Sequence, residues 1–515
     1  MRRVSRTAHT LSRREFIRMG VGSAAAAALG MFEVRNALCA DRDGAGTTKK
    51  PNIVFIMADD LGYGSVGCYG ATKVKTPCID SIARQGILFT DAHSPYAVCT
   101  PTRYSVLTGR YYFRPNEKAR AWTSTRPLLI GKDQMTVASL LKSEGYATGA
   151  VGKWHLGFGD KEPDYNADLK PGPLEVGFDY FFGCPNSHCE APYVYVENHR
   201  VVGLDPKDPI VVDKSTYRSM TGGKAARFVQ EDVGITEAAK AVEFIEKHKD
   251  KPFFLYFVPD NIHDPITPNA RFKGTSEIGV YGDYIHELDW QVGEVLRTLD
   301  RLQLADNTLV IFTSDNGAIC SRSYAALKCN GDLLGQKTDV WEGGHRVPFV
   351  VRWPGVVKPG TRSDAIICGN DLLATSAEIV GHVLKDDEGP DSISAMPAFK
   401  GASAKEHSRQ EAVFGGSFGL AVRQGDWLLI PKQGSGGLTT KEADKHWWLD
   451  LKELGLKNSD YDDAGKLKPN APAGQLYNMR TDPNQRMNAY NEHPDIVKRL
   501  NALLQRTKKA AKSRP

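Results

Sequence analysis

The chain has 515 residues, 41% hydrophobic and 25% charged, with 66 Lys and Arg against 61 Asp and Glu. That profile excludes a disordered, collagenous or membrane-embedded protein, and the length suggests two domains or three. The formal charge of +5 raises an anionic partner, but seven Arg and two Glu lie in residues 1–40, leaving 59 bases and 59 acids beyond them. No nucleic-acid partner is therefore expected.

The chain opens on Arg2, Arg3, Arg6, Arg13, Arg14 and Arg18, then an apolar run from Met19 to Phe32, then small residues ending in Ala37-Leu38-Cys39-Ala40. A basic region, a short apolar region and a small-residue exit predict a secretory signal over 1–40. The run is shorter than the ~20 residues of a spanning helix, so no transmembrane span is expected. Ser12-Arg13-Arg14-Glu15-Phe16-Ile17-Arg18 resembles the twin-arginine export motif. It implies the twin-arginine translocase as a partner and an exported protein, periplasmic or extracellular, in a bacterium. A cytosolic basic helix and a lipoprotein Cys39 are weaker readings, because Asn36-Ala37-Leu38 is a poor lipoprotein lead-in. In an oxidising compartment, pairs such as Cys184/Cys189 and Cys320/Cys329 could bridge short loops, with connectivity left open. No Cys/His spacing predicts a zinc site.

Pro51 precedes Asn52 to Ala58, a continuous apolar run of strand length, as in a strand buried on both faces. Similar runs follow helical stretches: Tyr146 to Val151 after Thr136 to Ser143, Phe253 to Val258 after Thr236 to His248, and Leu309 to Thr313 after Asp283 to Leu302. Val347 to Trp353 is a further strand candidate. This alternation predicts an α/β fold with a large, doubly wound, mostly parallel sheet over about 50–390. The stretch 158–230, rich in Gly, Pro and aromatics, reads as an insertion near the active face. Beyond about 395, short strands (Glu411 to Phe414, Leu420 to Arg423, Trp427 to Pro431) and a helix from Pro494 to Lys509 predict a smaller C-terminal unit over 395–515, an antiparallel sheet plus helix. The basic end (Arg506, Lys508, Lys509, Lys512, Arg514) reads as solvated and frayed.

In an open parallel sheet, ligands bind beyond the carboxyl ends of the strands. The first run ends in Asp59-Asp60 and the Leu309 run in Ser314-Asp315-Asn316-Gly317. Singly, each could be a helix cap or a turn; together they offer three carboxylates and an amide oxygen, hard ligands for Ca²⁺ or Mg²⁺. The Tyr146 run leads to Lys153 and His155, two apart and so on one face of an extended chain. The Phe253 run leads to His263, and Lys337 precedes Trp341-Glu342-Gly343-Gly344-His345-Arg346. Such groups around a cation suit an anion site with acid and base attached. Cys99-Thr100-Pro101-Thr102-Arg103 reads either as a buried Cys at a helix start or as a thiolate activated by the helix and Arg103.

Cys99-x-Pro101-x-Arg103 with Leu107-Thr108-Gly109-Arg110 resembles the signature of the formylglycine-dependent sulfatases, arylsulfatase-like members of the alkaline phosphatase superfamily. The resemblance continues through 52–62, Gly152-Lys153-Trp154-His155-Leu156-Gly157, Ser314-Asp315-Asn316-Gly317, 342–348 and Gln475-Leu476-Tyr477-Asn478-Met479. It implies hydrolysis of sulfate monoesters, of a sulfated small molecule or glycan. It further implies that a formylglycine-generating maturation enzyme converts Cys99 to formylglycine (3-oxoalanine), and that Asp59, Asp60, Asp315, Asn316 and residue 99 hold one Ca²⁺. Arg103 and Lys153 would fix the formylglycine hydrate, His155 would act on its second hydroxyl, and Lys337 and His263 would grip the sulfate and protonate the leaving oxygen. Thr102 stands where the family has Ser, and Asn261-Ile262-His263-Asp264-Pro265 departs from its usual Pro-His-x-Pro. A phosphate or phosphonate ester hydrolase of the same superfamily and an inactive exported glycan-binding protein are the rivals. The aromatics Trp122, Tyr193 and Tyr195, with His199, suggest a sulfated carbohydrate substrate.

Overall fold

Strand β1 (Asn52–Ala58) is buried at every residue and lies between β7 (Phe253–Val258) and β8 (Thr308–Ser314), both parallel to it. The computed structural model describes residues 49–114, 121–407, 409–440 and 447–514; the export signal expected over 1–40 lies outside them. Besides β1, β7 and β8, the ten-stranded sheet holds β2 (Ile87–Phe89), β3 (Ala147–Gly152), β4 (Tyr180–Gly183), β5 (Val196–Glu197), β6 (Arg200–Val201), β9 (Phe349–Arg352) and β10 (Thr361–Ser363). Its order is β10-β2-β9-β8-β1-β7-β3-β4-β5-β6.

The five central strands, β8-β1-β7-β3-β4, are parallel throughout. Because successive side chains alternate, Ile53, Phe55 and Met57 of β1 enter one core layer while Val54, Ile56 and Ala58 enter the other. Helices α1 (Pro77–Arg84), α4 (Val233–His248) and α5 (Val280–Arg301) supply Ile79, Phe244, Ile245, Leu288 and Val292 to the second layer. The opposite layer receives α2 (Cys99–Thr108), α3 (Val137–Ser143) and α6 (Leu372–Val380) through Leu107, Leu141 and Leu373. Each fully buried aliphatic or aromatic side chain is worth roughly 1.5–3 kcal/mol. This is the α/β alkaline-phosphatase-like architecture, with helices on both faces of the sheet.

Two expectations need correction. The strand anticipated at Val347–Trp353 is shorter and antiparallel, pairing with β8 through Val310↔Arg352; its carboxyl end therefore points away from the rim that carries the acids. The basic end of the chain is not frayed. Lys512 pairs with Asp386 at 2.9 Å, Ser513 Oγ donates to Asp391 at 2.6 Å, and the Ser513 N–H reaches the Pro390 carbonyl at 2.9 Å. Within the stretch 158–230, β4, β5 and β6 belong to the main sheet.

A second, antiparallel sheet comprises β11 (Glu411–Gly416), β12 (Gly419–Gln424), β13 (Trp427–Ile430) and β14 (Gln475–Asn478). Helix α7 (Pro494–Lys509) lays Val497, Leu500, Leu503 and Leu504 against Val413, Val422, Leu429 and Leu476 of that sheet. The eight cysteines among the described residues are free thiols. No helix among those residues is long and apolar enough to cross a membrane.

The ends of β3 and β4 approach closely. A Cβ at Gly183 would lie 1.7 Å from the Gly152 carbonyl oxygen, a backbone atom that cannot swing away. Gly183→Ala is expected to destabilise the fold by about 2 kcal/mol, seen as a lower urea midpoint with unchanged slope; an unshifted midpoint would refute the contact.

Candidate active site

The register of the central strands brings the acids together. Ala58 pairs with Ser314, so Asp59-Asp60 and Asp315-Asn316 leave the sheet side by side. The Asp315 N–H donates to the Ala58 carbonyl at 3.0 Å, and the Asp60 N–H to Asp315 Oδ1 at 3.1 Å. On the other side Asp59 exchanges backbone hydrogen bonds with the 261–262 peptide, at 2.9 and 2.8 Å. Asn316 is followed by the Gly its position requires, because a Cβ at Gly317 would sit 1.9 Å from the Gly343 carbonyl oxygen.

Helix α2 starts at Cys99, and all ten of its residues are buried. Arg103, one turn on, lies on the same face as Cys99. Its Nη2 donates to Asp315 Oδ2 at 2.9 Å and lies 3.7 Å from Asp59 Oδ2, while Nη1 reaches the Lys153 carbonyl at 3.0 Å. Lys153, extending β3, places Nζ 2.6 Å from Asp59 Oδ2, and Lys337 Nζ lies 2.6 Å from Asp60 Oδ1. Asp59, Asp60 and Asp315 are thus matched by Arg103, Lys153 and Lys337, all buried.

Burial opposes the charge of each group, and the neighbours decide the outcome. Lys153, with His263 and Arg103 behind it, overcomes burial and holds the Asp59 carboxyl well below the usual carboxylate range. Burial, reinforced by Asp59, pushes Asp315 up to about 7. Burial also raises the Cys99 thiol, and the nearby Lys153 and Lys337 only partly offset it. Of the two readings of Cys99, the buried Cys at a helix start is therefore favoured over the activated thiolate: desolvation outweighs the cations.

The donor set fits a hard divalent cation. Asp59 Oδ1 and Asn316 Oδ1 are buried without hydrogen-bond partners, and ligating atoms of Asp59, Asp60, Cys99 and His263 lie within 4.8 Å of one another. Oxygen-rich, partly unsatisfied clusters of this kind suit Ca²⁺ or Mg²⁺.

Hydrogen bonding also fixes the state of His155. Its Nε2 faces the Trp122 carbonyl at 2.8 Å, so Nε2 carries the hydrogen, and its Nδ1 is buried with no partner. Burial, aided by Lys153 and Arg103, pushes its pKa well below the usual histidine range, which leaves a neutral ring with its lone pair at Nδ1. His263 donates from Nδ1 to the Asp264 carbonyl at 2.6 Å and places Nε2 3.7 Å from Asp60 Oδ2. Burial and then Lys337 and Lys153 lower it to about 4. All ten side chains singled out in the sequence thus gather at one rim.

The sulfatase family's sequence model matches residues 51–382. The chain belongs to the sulfatase family. As a sulfatase it is a sulfuric ester hydrolase. It is 37% identical to an N-acetylgalactosamine-6-O-sulfatase of Bacteroides thetaiotaomicron, over 91% of this chain and 95% of that protein. It is 35% identical to the steryl-sulfatase of Rattus norvegicus, over 74% of each. Among solved structures, BT33336S-sulf, described under the metabolism of multiple glycosaminoglycans by Bacteroides thetaiotaomicron, superposes with a TM-score of 0.80 at 36% identity. That match covers 90% of this chain and 100% of the other.

The sulfatase's site also uses groups that sequence reasoning missed. The Trp122 peptide is clamped on both sides: its N–H donates to Thr100 Oγ1 at 2.9 Å, and its carbonyl accepts from His155 and from Asn186 Nδ2, the latter at 3.1 Å. A backbone carbonyl leaves no trace in residue identity, so only Thr100, beside Cys99, could have hinted at it. Of the aromatic group, Trp122 alone is tied to the catalytic rim by these bonds. Tyr193 donates to the Arg218 carbonyl, Tyr195 packs on Phe182, and His199 pairs with Glu175. The 342–346 motif forms a buried turn whose Gly344 carbonyl accepts the Gly317 N–H at 2.9 Å, holding the Asp315-Asn316 end in place.

Asn186→Ala removes one hydrogen bond from the carbonyl that orients His155. One such bond is worth about 1 kcal/mol, so kcat is expected to fall by about fivefold with little change in KM. A KM effect without a kcat effect in steady-state assays would place Asn186 in substrate binding instead.

Proposed function

We propose that this sulfatase removes sulfate from sulfated carbohydrate, using Cys99 matured to formylglycine and one Ca²⁺. The observation that carries the reading is the gathering of Arg103, Lys153 and Lys337 on Asp59 and Asp60, whose ligating atoms lie within 4.8 Å of that of Cys99, with the unpartnered Nδ1 of a neutral His155 close to the same charges. Asp59, Asp60, Asp315, Asn316 and residue 99 would hold the cation, which supplies positive charge beside the sulfate oxygens. The formylglycine hydrate supplies two geminal hydroxyls, one to displace the alcohol from sulfur and one to release the sulfate as the aldehyde returns.

The chain's own residues do the rest. Arg103 and Lys153 orient residue 99 and stabilise negative charge next to it. Lys337, already charged against Asp60, holds the sulfate and stabilises charge that builds during transfer. His155 takes a proton at Nδ1, the atom left bare by the Trp122 carbonyl. His263, neutral in the ligand-free pocket, gains its Nε2 proton more readily once a sulfate anion lies beside it, and then delivers that proton to the leaving oxygen.

The carbohydrate reading is supported by the 37% identity, over nearly the whole of both chains, to an N-acetylgalactosamine-6-O-sulfatase; a 6-sulfated N-acetylhexosamine is the first substrate to try. The reading keeps a catalytic region over 50–390 carrying an insertion at 158–230, and a C-terminal region over 395–515. Residues 1–40 fit export through the twin-arginine translocase to the periplasm or beyond, after action of a formylglycine-generating enzyme.

The test is sulfate release from defined sulfated saccharides by protein co-expressed with a maturation enzyme, with mass spectrometry of the peptide carrying residue 99. Full activity with an unmodified Cys99, or activity surviving Cys99→Ala, would overturn the mechanism. Activity on phosphate esters alone would overturn the substrate class.

Cation binding should depend on pH through Asp315. Its carboxyl, raised to about 7, is protonated below that value, and a cation must displace the proton. Calcium affinity is therefore expected to be nearly flat above about pH 7 and to fall by up to about tenfold per unit below it. Calorimetric titrations across this range, with Asp315→Asn as the pH-insensitive reference, check the slope.

A further inference from the structure

A second group of ligating side chains lies behind the strand ends that carry His155 and His263. Cys184 follows β4, Asp260 follows β7, and Glu237 projects from α4. The Cys184 Sγ and a carboxylate oxygen from each acid lie within 4.8 Å of one another. Cys184 is 1% exposed, and Glu237 and Asp260 are fully buried.

One oxygen of each acid is already used: Glu237 Oε2 accepts the Asp260 N–H at 3.1 Å, and Asp260 Oδ1 accepts the His188 N–H at 2.8 Å. The other oxygens, Glu237 Oε1 and Asp260 Oδ2, meet no N–H or hydroxyl donor; burial and then Asp260 raise the Glu237 carboxyl well above its usual range, so a proton shared with Asp260 is what a cation would displace. Leaving such atoms bare in the interior is costly, and fully buried acids are ordinarily paired or bound to metal. The His188 ring, 3.4 Å from Asp260 Oδ1, addresses the oxygen that is already satisfied. Two carboxylate oxygens joined by no more than a shared proton, with a thiol converging on them away from solvent, make a ligand set suited to a cation.

We propose that Cys184, Glu237 and Asp260 bind one divalent transition-metal ion of the zinc class, separate from the cation of the sulfate site. A thiolate mixed with carboxylates selects zinc-like ions, whereas calcium and magnesium take oxygen ligands. Binding places the metal on a thiolate and two carboxylates, releasing to solvent both the Cys184 proton and the proton shared by Glu237 and Asp260.

The ion braces the acid–base side of the active site. The Cys184 carbonyl accepts the Trp154 N–H, the Pro185 carbonyl accepts the His155 N–H, and the Asp260 carbonyl accepts the His263 N–H, each at 3.0 Å. Both histidines thus hang by their backbones from segments that the ion ties together and to α4. These three residues position; they do not touch the sulfate.

The test is elemental analysis of the purified full-length protein after expression with zinc and dialysis against a weak chelator. About one zinc per chain is expected, dropping at least tenfold in Glu237→Gln and in Cys184→Ser and persisting in Asp315→Asn, which weakens the sulfate-site cation. Glu237→Gln keeps the shape and a hydrogen-bond donor, so a carboxyl that merely shares a proton with Asp260 would tolerate it. Cobalt-substituted wild-type protein should show a thiolate-to-cobalt absorption band that Cys184→Ser lacks, a readout that requires no activity. Fully active wild-type protein without transition metal, or zinc content unchanged in both Cys184→Ser and Glu237→Gln, would overturn the proposal.

Discussion

Everything at the catalytic rim depends on keeping three carboxylates ionisable within a few ångströms of one another in a place water does not reach. Asp59, Asp60 and Asp315 are almost wholly buried, and unpaired charges there would cost several kcal/mol each. The fold meets that cost with Arg103, Lys153 and Lys337, one from a helix, one from a strand end and one from a loop. Their pairing with the acids at 2.6–2.9 Å leaves the pocket close to neutral. A dication alone would leave it strongly positive, so a divalent cation and a sulfate anion favour each other's binding.

The same constraint explains why the parallel centre of the sheet cannot vary freely. Asp59, Lys153, the 260–263 segment and Asp315 are successive strand ends, and their spacing is set by strand separation rather than by loops. Backbone hydrogen bonds between the emerging ends, such as Asp59 with the 261–262 peptide and Lys153 N–H with the Val258 carbonyl, carry the order of the sheet one residue beyond it. Functional groups on such ends are held more firmly than groups on long loops. Lys337 is the exception, and its loop is fastened where the Lys337 N–H meets the Ala318 carbonyl at 3.0 Å.

Much of this was readable in the sequence because strands buried on both faces are apolar without interruption, so the polar residue that ends each run is conspicuous. Asp59-Asp60, Lys153, His263 and Asp315-Asn316 were found in that way. Direction was not readable: Val347–Trp353 has the composition of a central strand, yet the chain enters β9 antiparallel to β8. The two- to four-residue strands β4, β5 and β6 are too short to carry a period. The end of the chain is pinned by Asp386 and Asp391, more than a hundred residues upstream, and local composition cannot report such partners. Cys184, Glu237 and Asp260 likewise come from three separate segments, which is why no ligand spacing signalled them.

The burial of Cys99 bears on the kind of nucleophile the site favours. A helix start with two lysines nearby is the setting in which a thiol ordinarily becomes a thiolate, yet here burial dominates and the thiol is raised. The cations at hand are committed to Asp59, Asp60 and Asp315 and are therefore weak partners for a fourth anion. A nucleophile that must ionise before it reacts is poorly served by such a pocket. A neutral hydroxyl, giving up its proton only as it attacks, avoids that cost, and in the proposed mechanism the bare Nδ1 of a neutral His155 receives a proton from its twin. The proposed conversion of Cys99 to a hydrated aldehyde thus answers an electrostatic problem that the buried carboxylates themselves create.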